Sequence, residues 1–132
     1  ASVVNMSRVN KYTDKEQKIS NRYSSIKSRV ENLDKYWPRE DFIDWYKNEP
    51  KICCYCKSTE EELARFYERN NSKRKGTRGQ TLEIERIEDR EYSRKNCKLS
   101  CYWCNNAKSD TFTYSEFKKI GLEIGAVIKG YS

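Results

Sequence analysis

Cys97-Lys98-Leu99-Ser100-Cys101-Tyr102-Trp103-Cys104-Asn105-Asn106-Ala107-Lys108 decides how this chain is read. A short strand-like stretch runs into a Cys-x-x-Cys turn, and a helix is expected to begin near Asn105. A second such turn, Cys53-Cys54-Tyr55-Cys56, lies upstream. Zinc takes a tetrahedral set of soft donors, and each Cys-x-x-Cys turn offers two thiolates at neighbouring vertices. Cys53, Cys56, Cys101 and Cys104 are therefore the expected ligands of one structural Zn2+. Residues 57–100 separate the two pairs, a longer span than a compact zinc ribbon has, so the metal ties distant segments together. Four protein ligands leave no open coordination position, which excludes a catalytic role for this ion. A thioredoxin-like redox pair is the rival reading, but two knuckles and no doubly wound pattern count against it.

The bulk numbers agree with a small metal-stapled domain. In 132 residues, 36% are hydrophobic and 36% charged, so the core is modest and four thiolates around a metal would help close it. We expect residues 1–36 to form an amphipathic helical arm and residues 37–132 a zinc-stapled domain. Lys and Arg number 27 against 20 Asp and Glu, and a net charge of +7 favours a polyanionic partner such as nucleic acid. No stretch approaches the ~20 apolar residues of a membrane span. Ala1 to Asn10 lacks the apolar run of a secretory signal. Six cysteines then read as metal ligands in a reducing compartment, and the expected location is intracellular and cytoplasmic. Neither a membrane nor a small-molecule substrate is expected. Cys54 and Cys97 are left over as small buried residues.

Outward from the knuckles, Thr13-Asp14-Lys15-Glu16 has the form of a capping box, with Ile19, Tyr23, Ile26, Val30 and Leu33 following at helical spacing. Arg22, Lys27 and Arg29 flank that stripe and face either phosphate or water. Pro38 opens a second helix carrying Phe42, Ile43, Trp45 and Tyr46 as core residues, with Pro50 beyond its end. Ser58-Thr59-Glu60-Glu61 resembles another capping box, ahead of Leu63, Phe66 and Tyr67. Residues 70–80 are polar and basic, and Lys73, Arg74, Lys75 and Arg78 are suited to a phosphate backbone. Thr81 to Ile87 alternates as a strand, with Leu82, Ile84 and Ile87 mostly inward and Glu83 and Glu85 on the opposite face. A polar turn leads to the strand Cys97–Cys101. Thr113-Tyr114-Ser115-Glu116 caps a last helix bearing Phe117, Ile120, Ile124, Val127 and Ile128.

Leu82-Glu83-Ile84-Glu85-Arg86-Ile87, then Asn96 and Cys101-Tyr102-Trp103-Cys104-Asn105-Asn106-Ala107-Lys108, resembles the HNH (His-Me finger, ββα-metal) endonuclease family over roughly residues 50–110. Within it the likeness is to rare-cutting HNH restriction enzymes of an all-A/T eight-base-pair site. That likeness rests on Phe42-Ile43-Asp44-Trp45-Tyr46, Arg86 where most of the family has His, Tyr92-Ser93-Arg94-Lys95-Asn96, and Lys108-Ser109-Asp110-Thr111-Phe112. The implied fold is α+β, a ββα-metal core with one four-cysteine zinc and flanking helices. The resemblance also implies a homodimer, double-stranded DNA as substrate, and catalytic Mg2+, with Mn2+ or Ca2+ able to occupy the same site.

Phosphodiester hydrolysis needs an activated water and relief of charge on the phosphorane and the departing oxygen. Glu85 and the Asn105 carbonyl oxygen are the expected Mg2+ ligands, with Asn96 bracing the turn and Lys108 among the DNA contacts. Arg86 stays protonated and cannot be a base, so its expected role is to clamp the scissile phosphate. The chain has no histidine, so the usual base is missing. Tyr92 is the first candidate acceptor, Tyr23 a second, and a metal-activated or phosphate-assisted water a third. Taken singly, Glu85 reads as a solvated carboxylate, Asn105 as a helix cap and Arg86 as an ion-pair partner. A type II restriction enzyme is the expected setting. The competing readings are a homing endonuclease, a catalytically silent DNA-binding zinc module, and an RNA- or protein-binding knuckle.

Overall fold

The computed structural model describes residues 11–69 and 81–130. The chain forms two compact units, one ending at Asn48 and one beginning at Glu49. The division expected after residue 36 falls inside the first unit, because aromatic residues of the second helix pack there.

In the first unit, helix α1 spans Asp14–Lys27. Thr13 accepts from the Glu16 backbone and Glu16 accepts from the Thr13 backbone, so both bonds of the predicted capping box are present. Glu16 also pairs with Lys47 at 2.8 Å, and that ammonium lowers its carboxyl to about 2. Ile19, Tyr23 and Ile26 are buried, but the helix stops before Val30 and Leu33. Serines explain the break. Ser28 Oγ donates to the Ser25 carbonyl at 2.7 Å, offering the backbone a local alternative to another helical turn. Asn32 then adopts a left-handed φ of 61°, which asparagine tolerates better than most residues. Leu33 begins a separate short helix, α2 (Leu33–Tyr36).

Helix α3 (Arg39–Asn48) packs against α1. Its Phe42 and Trp45 rings meet Trp37 at centroid distances of 5.0 Å each, and Phe42 meets Tyr23 at 5.3 Å. Edge-on and tilted aromatic pairs of this kind add about 0.5–1.5 kcal/mol each beyond the area they bury. Tyr23 is fully buried, and its hydroxyl donates to the Trp37 carbonyl at 2.7 Å. Burial raises its pKa, which removes Tyr23 from the candidate bases.

The second unit is α+β. Helix α4 (Glu60–Arg69) follows the first knuckle. Its capping box sits one residue later than the sequence suggested, joining Thr59 to Glu62. Ser58 is committed to the knuckle, where its carbonyl accepts from Cys53 N–H at 3.0 Å. Strands β1 (Glu83–Arg86) and β2 (Cys97–Ser100) form an antiparallel pair with Glu85 opposite Lys98 and Arg86 opposite Cys97. Helix α5 (Tyr102–Lys108) begins inside the second knuckle, with Cys101 as its N-cap, rather than near Asn105. Helix α6 (Tyr114–Lys129) carries the predicted box of Thr113 and Glu116.

The buried face of α6 is Phe117, Gly121, Gly125 and Ile128, whereas Ile120 and Val127, expected in the core, are exposed. The two glycines set that face because α6 lies directly on the first knuckle. A Cβ at Gly121 would stand 2.7 Å from Tyr55 Cβ, and one at Gly125 would run into the Cys56 carbonyl. Lys129 Nζ donates to the same carbonyl at 3.4 Å. Among the described residues, no helix is long and apolar enough to cross a membrane. Gly125→Ala gains up to ~1 kcal/mol of helix propensity. The clash should outweigh it, for a net loss of about 1–3 kcal/mol in guanidinium denaturation of the zinc-loaded protein. An unchanged or raised midpoint would show that the helix need not lie this close.

Candidate active site and metal centre

The four knuckle cysteines are buried, and their sulfurs all lie within 4.8 Å of one another. Cys56 and Cys101 sulfurs are 3.8 Å apart, far beyond a disulfide bond of ~2.05 Å. That separation matches the edge of a tetrahedron with metal–sulfur bonds of ~2.3 Å. Each knuckle aims a backbone N–H at its own first sulfur, Cys56 to Cys53 at 3.5 Å and Cys104 to Cys101 at 3.4 Å. Hydrogen bonding from Cys101, then Cys104 and Cys56, holds the Cys53 thiol far below its usual range. Cys104, donor to Cys101 and Cys53, is pushed far up. The quartet cannot shed all four protons without a cation at its centre, and the arrangement fits a structural zinc. Cys54 and Cys97 stand apart from it, and burial raises them to about 12 and about 11.

Beside the quartet, β1, the following turn, α5 and the connection to α6 enclose an open cleft of about 660 Å³. Glu85, Arg86, Asn105 and Lys108 all line it, and so does the run from Ile87 to Arg90. Alternation on β1 puts Glu83 and Glu85 on one face, as predicted, but α5 packs against the strand and the face is not solvated. Glu85 is only 8% exposed. Its Oε2 accepts from the Tyr55 hydroxyl at 2.7 Å and pairs with Lys108 Nζ at 3.6 Å. Burial, then the bond to Glu85, keeps the Tyr55 phenol well above its ordinary pKa, so it acts as a donor. Next along the strand face, Glu83 Oε1 accepts from Asn105 Nδ2 at 3.0 Å.

Arg86 projects from the end of β1, where its guanidinium lies 4.6 Å over the Tyr92 ring and donates to the Arg90 carbonyl at 3.0 Å. Tyr92 thus supports Arg86 and does not itself line the cleft. Asn96 is buried behind the turn. Its Oδ1 accepts from Glu88 and Asp89 N–H groups, and its Nδ2 donates to the Asp89 and Glu91 carbonyls at 3.1 and 2.7 Å.

The sequence-predicted DNA contacts are more scattered. Lys108, expected to meet DNA, is 9% exposed and balances Glu85. In the first unit, Arg22 leans on Tyr46, donating to its hydroxyl at 3.2 Å, while Lys27 pairs loosely with Asp34 at 3.9 Å. Arg29 donates to the Ser25 carbonyl at 3.3 Å and is exposed. Lys73, Arg74, Lys75 and Arg78 lie outside the described residues. Sequence reasoning missed Tyr55 and Glu83 as site partners. Asn105 and Lys108 sit three apart on a helix and Glu83 and Glu85 two apart on a strand, a signal that does pair the two faces.

Tyr55→Phe keeps the ring that packs on Phe117 and Tyr114 but strips a charge-directed hydrogen bond from a buried carboxylate. The expected cost is about 1.5–3 kcal/mol in urea denaturation at neutral pH. A loss below half a kcal/mol would show that Lys108 alone satisfies Glu85.

No family model matches this chain, and no curated protein matches it. A solved structure does. The fold is similar to that of PacI, a rare-cutting HNH restriction endonuclease whose structure exhibits an extraordinary mechanism of DNA perturbation. The likeness has a TM-score of 0.59 with 27% identity, and spans 84% of this chain and 74% of that one. Two strands, a helix opened by a cysteine knuckle and a four-cysteine cluster thus make an α+β ββα core, and the chain resembles the HNH endonucleases in structure as well as in motif.

Proposed function

We propose that this protein is a metal-dependent endonuclease of the HNH kind that hydrolyses phosphodiester bonds of double-stranded DNA, acting as a homodimeric type II restriction enzyme in the cytoplasm. The observation that carries the reading is the delivery of Glu85 from β1 and Asn105 from α5 to one cleft beside the four-cysteine cluster. The likeness to PacI makes DNA the substrate to test first.

Glu85 and Asn105 supply a carboxylate and an amide carbonyl, hard oxygen donors suited to Mg2+, Mn2+ or Ca2+. Among the described residues, the Tyr55 and Lys108 bonds to Glu85 both fall on Oε2, and Oε1 is the oxygen proposed for the ion. When bound, a divalent ion there would offset charge on the phosphorane and the departing 3′ oxygen. Arg86, held between the Tyr92 ring and the Arg90 carbonyl, offers a fixed positive charge to the scissile phosphate. Tyr92, which stands against Arg86 and does not line the cleft, is the proposed proton acceptor, with a metal-activated or phosphate-assisted water as the alternative. Asn96 keeps the turn that carries both residues in shape. The structural Zn2+ is assigned to Cys53, Cys56, Cys101 and Cys104. Arg22, Lys27 and Arg29, with Lys73, Arg74, Lys75 and Arg78, are assigned to the DNA backbone, and Lys108 to the edge of the site.

Purified protein with Mg2+ or Mn2+ and diverse A/T-rich plasmid and phage DNA should give discrete fragments. Glu85→Ala and Asn105→Ala should each lower the cleavage rate about a hundredfold or more, read from fragment yield against time. Binding without cleavage by clean wild-type protein would favour the silent DNA-binding module, to which Arg86 in place of His and the absence of any histidine already lend some weight. Cys101→Ala, or a strong zinc chelator, should release the metal and unfold the second unit, since structural zinc contributes about 10–16 kcal/mol in small domains. Retention of one zinc per chain and of the native circular dichroism would overturn the four-cysteine assignment.

A further inference from the structure

The two carboxylates on the face of β1 do different work. Glu85 is clamped by Tyr55 and Lys108 and lines the cleft; Glu83 is not among the residues lining it, and it accepts a hydrogen bond from Asn105 Nδ2 at 3.0 Å. An asparagine amide has two orientations that exchange oxygen and nitrogen, and its neighbours decide between them. An ionised carboxylate only accepts, so beside Glu83 the amide must present its nitrogen. Its Oδ1 is then the atom left to the cleft that Asn105 lines, and it has no partner among the described residues.

That choice matters to a hard cation, which takes oxygen ligands and gains nothing from an amide NH2. We infer that Glu83 is a positioning residue, fixing the Asn105 amide with its oxygen toward the cleft so that Asn105 and Glu85 together present oxygen ligands to a divalent ion. The inference rests on the metal-dependent reading of the cleft. It assigns Glu83 no contact with the ion or with DNA. Partners that orient a metal ligand from behind are worth about ten- to hundredfold in metal affinity.

The test is calorimetric titration of the zinc-loaded full chain with Ca2+, which reports binding without turnover. Glu83→Gln conserves shape, but a glutamine both donates and accepts, so either orientation of Asn105 is satisfied. Affinity should fall about ten- to hundredfold. Asn105→Asp in the Glu83→Gln background needs no orienting, because both side-chain atoms are oxygens and the introduced glutamine can donate to one of them. That double variant should bind Ca2+ at least as tightly as wild type. The added charge of Asn105→Asp favours the ion by itself, so the readout that a merely structural Glu83 would not move is the Asn105 side-chain amide, followed by NMR.

Wild-type affinity in Glu83→Gln, or a double variant as weak as the single one, overturns the inference. Glu85→Ala separates the two levels. If it binds Ca2+ like wild type, the cleft is not the metal site and the functional reading falls. If it loses binding while Glu83→Gln does not, the role of Glu83 alone falls. Should Glu83→Gln fail to fold, the wild-type Asn105 side-chain amide decides by NMR, assigned through its absence in Asn105→Asp. One downfield, exchange-protected proton is expected there, and a solvent-like pair overturns the inference.

Discussion

Four buried sulfurs drawn to within 4.8 Å of one another are the constraint on which the second unit depends. The pairs they join are separated by residues 57–100, so bringing them together closes a long loop whose entropy must be offset by something local and strong. A two-stranded sheet with four residues in each strand cannot do that, since an isolated hairpin is marginal in water. Thiolate–metal bonds can. Once the knuckles are joined, α5 starts from Cys101, β2 ends one residue before it, and Tyr55 in the first knuckle reaches Glu85 on β1. The proposed catalytic carboxylate is therefore placed by the same turn that supplies two of the four clustered cysteines.

Helix α6 makes the arrangement rigid from the other side. Gly121 and Gly125 let it approach Tyr55 and Cys56 at backbone distance, and its Phe117 meets the Tyr55 ring at 5.2 Å. Tyr55 is fixed at both ends, by packing at the ring and by the carboxylate at the hydroxyl. Sites held in this way keep their geometry without substrate, which is what electrostatic catalysis requires.

Much of this was legible in the chain. The cysteine spacing, the Thr13 and Thr113 capping boxes and the strand-turn-strand-helix order around the second knuckle follow from local rules that the structure obeys. What local rules missed was tertiary. Val30 and Leu33 continued the α1 stripe in sequence, but the Ser28 hydroxyl bonding back to Ser25 and the left-handed Asn32 ended the helix. Ile120 and Val127 looked like core, but the tight approach to the knuckle gave the inner face to glycines, which no hydrophobic pattern reveals. Glu85 taken singly read as a solvated carboxylate and Lys108 as a DNA contact, and only the packing of α5 on β1 turned them into a buried pair. Glu85, Arg86, Asn105 and Lys108 were thus legible as residues of interest that come to line one cleft, while which of them hold one another depended on how the helix lies on the strand.

The first knuckle also donates Cys54 N–H to the Leu99 carbonyl of β2 at 2.8 Å. A two-stranded sheet ordinarily offers its outer edge to any passing strand, and that exposure invites edge-to-edge association. Here the middle of β2 is already occupied on that side by the chain itself. Extension of the sheet by a strand laid along β2 is thus blocked at Leu99 by the same loop that carries Cys53 and Cys56, so association by strand pairing cannot run along that edge.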